Sequence, residues 1–207
     1  MNPPLRGGAG NVSPFEALVR ARTSVRRYDE RAIPDEVILS LLEAARLAPS
    51  ADNAQPWRFI VVKDPGAKDR LARASFSGIF ARSRFAARAP LLIALCAERT
   101  NPIEIGKTIK DRAMYQLDCG IAGEHLVLRA AELGLGTCWI GWFSKRGARK
   151  SLGVPVHVQV VCLISVGYPA EGVRQRARHR KPLASIAWFD HWKGSFPGAG
   201  SQEEPGK

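Results

Sequence analysis

An α/β or α+β sandwich built as one domain is the fold that this chain predicts, on three observations. Apolar, strand-like runs near 58–63, 90–97, 137–143 and 157–166 are separated by helical stretches of unequal length. Residues 111–133 change to a helical period and read as one long central helix. The 207 residues, 45% of them hydrophobic, can fill one full-sized core and are short for two.

Each element has its own signal. Ser13-Pro-Phe-Glu16 has the form of a capping box, with Pro14 suited to the first helical position, so a helix is expected to about Arg22. Pro34-Asp-Glu opens a second helix with acidic side chains at the positive end of its dipole. Val37, Ile38, Leu41, Leu42 and Ala45 form its apolar face, and Pro49 closes it. Arg58 to Lys63 and Pro90 to Ala97 are rich in Ile, Val and Leu and long enough for buried strands, with two shorter helical stretches between them. Along the central helix Leu117, Ile121, His125, Leu128 and Glu132 mark one line, and Ala122, Leu126, Ala130 and Leu133 sit beside it. Its Ala and Gly positions let another helix approach closely, in this chain or in a partner. Gly134 and Gly136 supply the stop, Thr137 to Phe143 reads as a third strand, Ser144 caps a short helix to Leu152, and His157 to Val166 reads as a fourth strand. A single domain over 13–193 is expected, with disordered ends at 1–12 and 194–207.

Several function classes find no support. The longest apolar run, Pro90 to Ala97, is far below the ~20 residues that cross a bilayer. Residues 1–12 are Gly/Pro-rich with only Arg6 as a basic residue, unlike a signal peptide, so a cytoplasmic location is expected. Cys96, Cys119, Cys138 and Cys162 lie in or beside apolar segments without paired spacing and read as buried free thiols. The net charge of +12 suits nucleic acid, but the basic residues are scattered and no nucleic-acid-binding signature accompanies them; an anionic small molecule explains the charge as well. No G-x-S-x-G elbow is present, and no zinc-like spacing surrounds Cys119 and His125. Gly134, Gly136 and Gly141 miss the spacing of a dinucleotide fingerprint and follow a helix instead of a strand.

Four segments taken in order carry more. Arg22-Thr-Ser-Val-Arg26, Pro49-Ser-Ala-Asp-Asn-Ala-Gln-Pro-Trp57, Gly134-Leu-Gly-Thr-Cys-Trp-Ile-Gly141 and Arg178-His-Arg-Lys-Pro182 together resemble the nitroreductase family of FMN-dependent oxidoreductases, over about Phe15 to Pro182. The resemblance implies an antiparallel-rich α+β sheet flanked by helices, in a homodimer with FMN at the subunit interface.

It also implies roles. A phosphate close to two negative charges needs several guanidinium or ammonium donors or a helix N-terminus, and Arg22, Ser24, Arg178 and Arg180 stand where relatives hold the ribityl phosphate, with Thr23 also expected to contact the cofactor. Arg26 stands where a cation lies at the N1/O2 edge of the flavin and stabilises its reduced form. Arg84 is a second candidate for that edge, although Ala81 replaces a flavin-contacting Asn of several relatives. Pro49, Ser50 and Asn53 are assigned to the pyrimidine edge across the dimer interface, Gln55 either joins them or holds the loop, and Trp57 is assigned to core packing. Trp139, Ile140 and Gly141 offer backbone groups to one face of the ring and its N5 edge. The implied activity is hydride transfer from NAD(P)H through flavin N5 to a small oxidised acceptor, a nitroaromatic, quinone or enone, in ping-pong order, with no dedicated acid or base. Phe76 to Phe85 and Lys107 to Met114 are expected around the pocket. A flavin-storage protein, or a flavin-destroying or dehalogenating enzyme of the same fold, is the alternative.

Overall fold

The computed structural model describes residues 12–98, 114–173 and 179–196. They group into two compact units divided after Val173. The larger unit holds all the named strands and α-helices.

Ser13 opens α1 (Pro14–Ala21) as its spacing predicts: its Oγ accepts from Glu16 N at 3.1 Å, and Pro14 fills the first turn. The reciprocal half of the box is absent. Glu16 Oε1 instead accepts from Arg20 Nη2 at 2.6 Å, an exposed i,i+4 pair. α2 (Asp35–Arg46) buries Ile38, Leu41 and Ala45, and Trp57 begins β1 (Trp57–Val62) inside the core. Asp64 caps α3 (Pro65–Ser75) by accepting from Ala67 N at 2.7 Å. A 3-10 segment over Gly78–Arg88 follows, and then the fully buried β2 (Leu91–Ala97).

α4 (Met114–Glu132) is the long central helix; residues 111–113 of its expected span lie outside the described ones. Its inward face includes the expected Ala122, Leu126 and Ala130 but not the line of Leu117, Ile121, His125 and Leu128. Asp118, Cys119, Ala122, Gly123, Leu126, Val127 and Ala130 are buried, whereas Leu117 is 57% exposed and Ile121, His125 and Leu128 are only half-buried. Small residues give the inner stripe and larger ones flank it, so side-chain size misleads the reading of the face. Gly134 (φ +74°) ends the chain's run after α4, and β3 (Gly136–Ile140), α5 (Lys145–Ser151) and β4 (Gln159–Gly167) complete the unit.

The four strands run in the order β1-β2-β4-β3, every neighbouring pair antiparallel. β2 is apolar throughout because both of its faces are covered. Leu91, Ile93, Leu95 and Ala97 pack with α2 and α4, while Leu92, Ala94 and Cys96 pack with α3 and α5. A bulge opposite Leu95 and Cys96 breaks the alternation of β4, putting Val161 and Cys162 on the α4 side and Val160 and Leu163 on the other. Helices on both sides of an antiparallel sheet make the unit α+β. All four cysteines are buried and none is in a disulfide. No helix among the described residues is long and apolar enough to cross a membrane.

Candidate active site

β3 is the outermost strand, and residues 22–26 run as an extended ribbon beside it. Val25 N donates to Thr137 O at 2.8 Å, and Ser24 forms an isolated parallel bridge with Thr137. Gly136 permits this approach, since a Cβ there would lie 2.5 Å from Val25 Cγ2. Tyr28 fastens the ribbon's far end. Its hydroxyl donates to Val25 O at 2.6 Å and lies 2.7 Å from Ser165 Oγ, and burial holds the phenol well above its ordinary range. Asp29 N then donates to Tyr168 O at 2.9 Å and Ala170 N to Arg27 O at 3.1 Å.

The expected anchors on this ribbon therefore have fixed places. Arg22, Thr23 and Ser24 are half-buried and Arg26 is exposed. Arg22 Nε stands 3.9 Å from Glu124 Oε1 of α4, close enough for attraction and too far for a hydrogen bond. Its guanidinium donors are not spent on that carboxylate.

The far end of β3 opens into a cavity of about 700 Å3 lined by Arg26, Arg82, Ser83, Phe85 and residues 138–142. Trp139, Ile140 and Gly141 are thus brought to one wall, together with Arg26. The Trp139 ring is seated against Gly123 of α4, where a Cβ would lie 2.9 Å from Cζ2 and closer still to Cη2. Arg26 Cζ stands 5.6 Å from the centroid of the Phe85 ring, a cation–π contact.

The 3-10 segment at 78–88 is clamped to the end of β3. Trp142 Nε1 donates to Ile79 O at 3.0 Å, Ser83 Oγ donates to Trp142 O at 2.7 Å, and the Phe80 and Trp142 rings lie 5.4 Å apart. These bonds draw Trp142 and Phe143 out of the strand expected to reach them. In a 3-10 turn residues i and i+3 stack, so Arg82 and Phe85 share the cavity side. Arg84 is exposed and does not line the cavity.

Pro49, Ser50, Asn53 and Gln55 occupy a separate surface of the chain and do not line this cavity. Their loop is tightly organised. Ser50 Oγ accepts from Gln55 N at 2.9 Å, Gln55 Nε2 donates to Asn53 Oδ1 at 3.0 Å, and buried Asp118 accepts from Ala51 N at 3.2 Å. Asp52, Asn53 and Gln55 all adopt positive φ, at 50°, 53° and 47°. Such backbone costs about 1 to 3 kcal/mol per residue and is typical of ligand-facing loops.

Arg178 lies outside the described residues, as do residues 107–113 of the expected pocket; Arg180 belongs to the smaller unit and is exposed. Sequence reasoning missed Arg82, Trp142, Tyr28 and Gly123. Gly123, a glycine in the middle of the central helix, was the one available sign; the other three depend on contacts distant in sequence.

The model of the nitroreductase family matches residues 19–84 and 79–168. A protein of Archaeoglobus fulgidus, provisionally named NADH dehydrogenase/NAD(P)H nitroreductase, is 35% identical over 158 residues, covering 74% of this chain and 84% of that one. An iodotyrosine deiodinase of Haliscomenobacter hydrossis is 29% identical, covering 80% of this chain and 83% of its own. The solved structure of an FMN-dependent nitroreductase from Clostridium difficile superposes with a TM-score of 0.68 at 28% identity, covering 84% of this chain and 98% of the other. The ribbon beside β3, the walled cavity at its end and the matched residues lead to one assignment: the chain is an oxidoreductase and belongs to the nitroreductase family.

Proposed function

We propose that this enzyme is an FMN-dependent homodimer that carries hydride from NAD(P)H to a small oxidised acceptor such as a nitroaromatic, quinone or enone. The observation that supports it most is the pinned 22–26 ribbon, which sets phosphate donors on Arg22, Thr23 and Ser24 and a cation on Arg26 beside the cavity at the end of β3.

The donor set fits a flavin mononucleotide. Arg22 offers a half-buried guanidinium without a hydrogen-bonded carboxylate, Ser24 a hydroxyl, and the cavity falls within the volume range of small-molecule sites. FMN, when bound, supplies a two-electron carrier that accepts and returns hydride at N5. The chain's own part is binding and tuning. Arg22, Thr23 and Ser24, with Arg178 and Arg180, hold the phosphate. Trp139, Ile140 and Gly141 face the ring with backbone groups and exclude water from it. Arg26 supports negative charge at the N1/O2 edge. The strained 49–55 loop, which does not line its own chain's cavity, serves the partner subunit's ring through Pro49, Ser50, Asn53 and Gln55.

Purified protein should be yellow and release about one FMN per subunit on denaturation, with NAD(P)H-driven reduction of a nitroaromatic. Colourless protein that takes up no added FMN refutes the proposal. Replacing Arg178 and Arg180 together by Ala should weaken FMN binding by ~100-fold or more, since two charge-assisted hydrogen bonds of roughly 1.5 to 3 kcal/mol each are lost. Unchanged occupancy would return that stretch to a solvated basic cluster. Similarity to a deiodinase keeps one other activity in view: halide released from an iodotyrosine under reducing conditions would favour dehalogenation.

A further inference from the structure

The cavity wall formed by the 3-10 segment is charged in one sense only. Residues 70–97 include Arg70, Arg73, Arg82, Arg84 and Arg88 and contain no Asp or Glu. Other exposed arginines have a carboxylate partner, Arg20 with Glu16, Arg46 with Glu43 and Arg73 with Asp69. Arg82 lines the cavity, is exposed, and has no carboxylate partner among the described residues. An unpaired guanidinium facing a partly apolar cavity is a site for an anion.

Beside it stands an aromatic surface of unusual composition. Trp142 is 57% exposed, yet its indole N–H is spent on Ile79 O and its carbonyl on Ser83 Oγ. Those two bonds, with the Phe80 ring at 5.4 Å, fix the indole in place. A tryptophan so held has no polar group left to offer a ligand and presents only its π face, at little further cost in side-chain entropy. Ser83 ties the two features together, since it follows Arg82 directly and holds the Trp142 backbone.

We propose that Arg82 and Trp142 form an acceptor subsite selective for planar aromatic anions, with Arg82 pairing to a carboxylate or similar substituent and Trp142 stacking on the ring. This rests on the oxidoreductase reading and names the class of acceptor it would take. Arg26 does not fill this role, because its guanidinium is engaged with Phe85 and stands on the ribbon assigned to the cofactor. A neutral aromatic of the same shape gains the stacking and lacks the ion pair, so the site discriminates by charge.

The test is calorimetric titration of the purified, FMN-loaded protein with benzoate and, separately, with benzamide, using the parent and the variants R82Q, R82K and R88Q. Benzoate should bind the parent roughly 10-fold or more tightly than benzamide, as expected for one charge-assisted contact. R82Q should erase that preference, R82K should retain part of it, and R88Q, which alters an arginine outside the cavity lining, should leave it intact. The visible spectrum of each sample reports flavin occupancy independently, so loss of FMN is distinguished from loss of the anion subsite. The proposal is overturned if benzoate and benzamide bind the parent equally, if R82Q keeps the preference, or if R88Q abolishes it equally. It is overturned also if R82Q chiefly lowers FMN occupancy, because Arg82 would then be serving the cofactor's phosphate. Colourless parent protein would refute the flavin assignment, and the same titrations would still decide the role of Arg82.

Discussion

The indole of Trp139 rests on the bare Cα of Gly123: a Cβ at that position would overlap Cη2 and lie 2.9 Å from Cζ2. A strand residue that walls the cavity thus takes its position from a missing side chain on the central helix. In an exposed helix interior Gly→Ala stabilises by about 1 kcal/mol. At residue 123 the overlap should outweigh that gain, since overpacking costs typically 1 to 3 kcal/mol. Gly123→Ala should therefore lower the melting temperature, shift the tryptophan emission and reduce flavin retention together. An unchanged emission spectrum with full retention would show that Trp139 does not need this seat.

Tyr28→Phe removes the hydroxyl that joins the 22–26 ribbon to β4. Ser165 Oγ, buried completely, loses this partner, and an unsatisfied buried hydroxyl costs about 1 to 3 kcal/mol. Urea midpoints should fall accordingly, and FMN affinity should weaken because the phosphate-binding ribbon is less firmly placed. The double variant Tyr28→Phe, Ser165→Ala should recover part of the stability and none of the affinity. Recovery of both would mean that the ribbon is held without this link.

Arg26→Ala should leave the phosphate anchors intact and make the bound flavin harder to reduce. A neighbouring cation at such a site contributes roughly 1 to 3 kcal/mol, so the two-electron potential should drop by roughly 20 to 65 mV, at ~30 mV per 1.4 kcal/mol. Spectroelectrochemistry on parent and variant measures it directly. An unchanged potential would show that Arg26 does not face the N1/O2 edge.

Stability should decline on the alkaline side through the buried thiols. Burial pushes Cys96 up to about 11 and Cys119 and Cys162 up to about 12. In the unfolded chain these groups release protons from about pH 8.5, while the folded chain retains them, so the unfolded state binds fewer protons and stability falls as pH rises. The contribution is complete below about pH 8.5 and is lost as pH climbs through 11 to 12, each thiol adding at most ~1.4 kcal/mol per pH unit. Denaturant midpoints at pH 8, 9.5 and 10.5 should decrease in that order, and Cys119→Ala should flatten the trend. Equal midpoints across the series would contradict the burial argument.

Period and punctuation in the sequence located the elements of the larger unit, because Ser13, Pro34, Gly134 and Ser144 act locally on the backbone beside them. Features set by distant partners were hidden. β3 ends at Ile140, since Trp142 is bonded to Ile79 and Ser83 about sixty positions earlier. The buried face of α4 centres on Cys119, Ala122, Gly123 and Leu126, where close approach matters more than side-chain size. At the site, residues 22–26 and 139–141, which belong to two of the quoted segments, lie side by side. Arg82, which lines the cavity where Arg84 does not, was not legible because the choice depends on the three-residue turn of the 3-10 segment. Positive φ at Asp52 and Asn53 agrees with their residue types, whereas Gln55 gives no such warning.

β3 would otherwise end the sheet with a row of unpaired peptide groups, the kind of border along which chains add to one another and aggregate. The ribbon from Arg22 to Arg26 occupies part of that border through Val25 and Ser24. A single stretch is thereby placed under two selective pressures, retention of an anion and suppression of edge-to-edge assembly. Enlarging Gly136 would expel Val25 and expose Thr137. Loss of solubility, seen as light scattering at high concentration, should then accompany loss of colour, whereas changes confined to the Arg22 side chain should bleach the protein and leave it monodisperse.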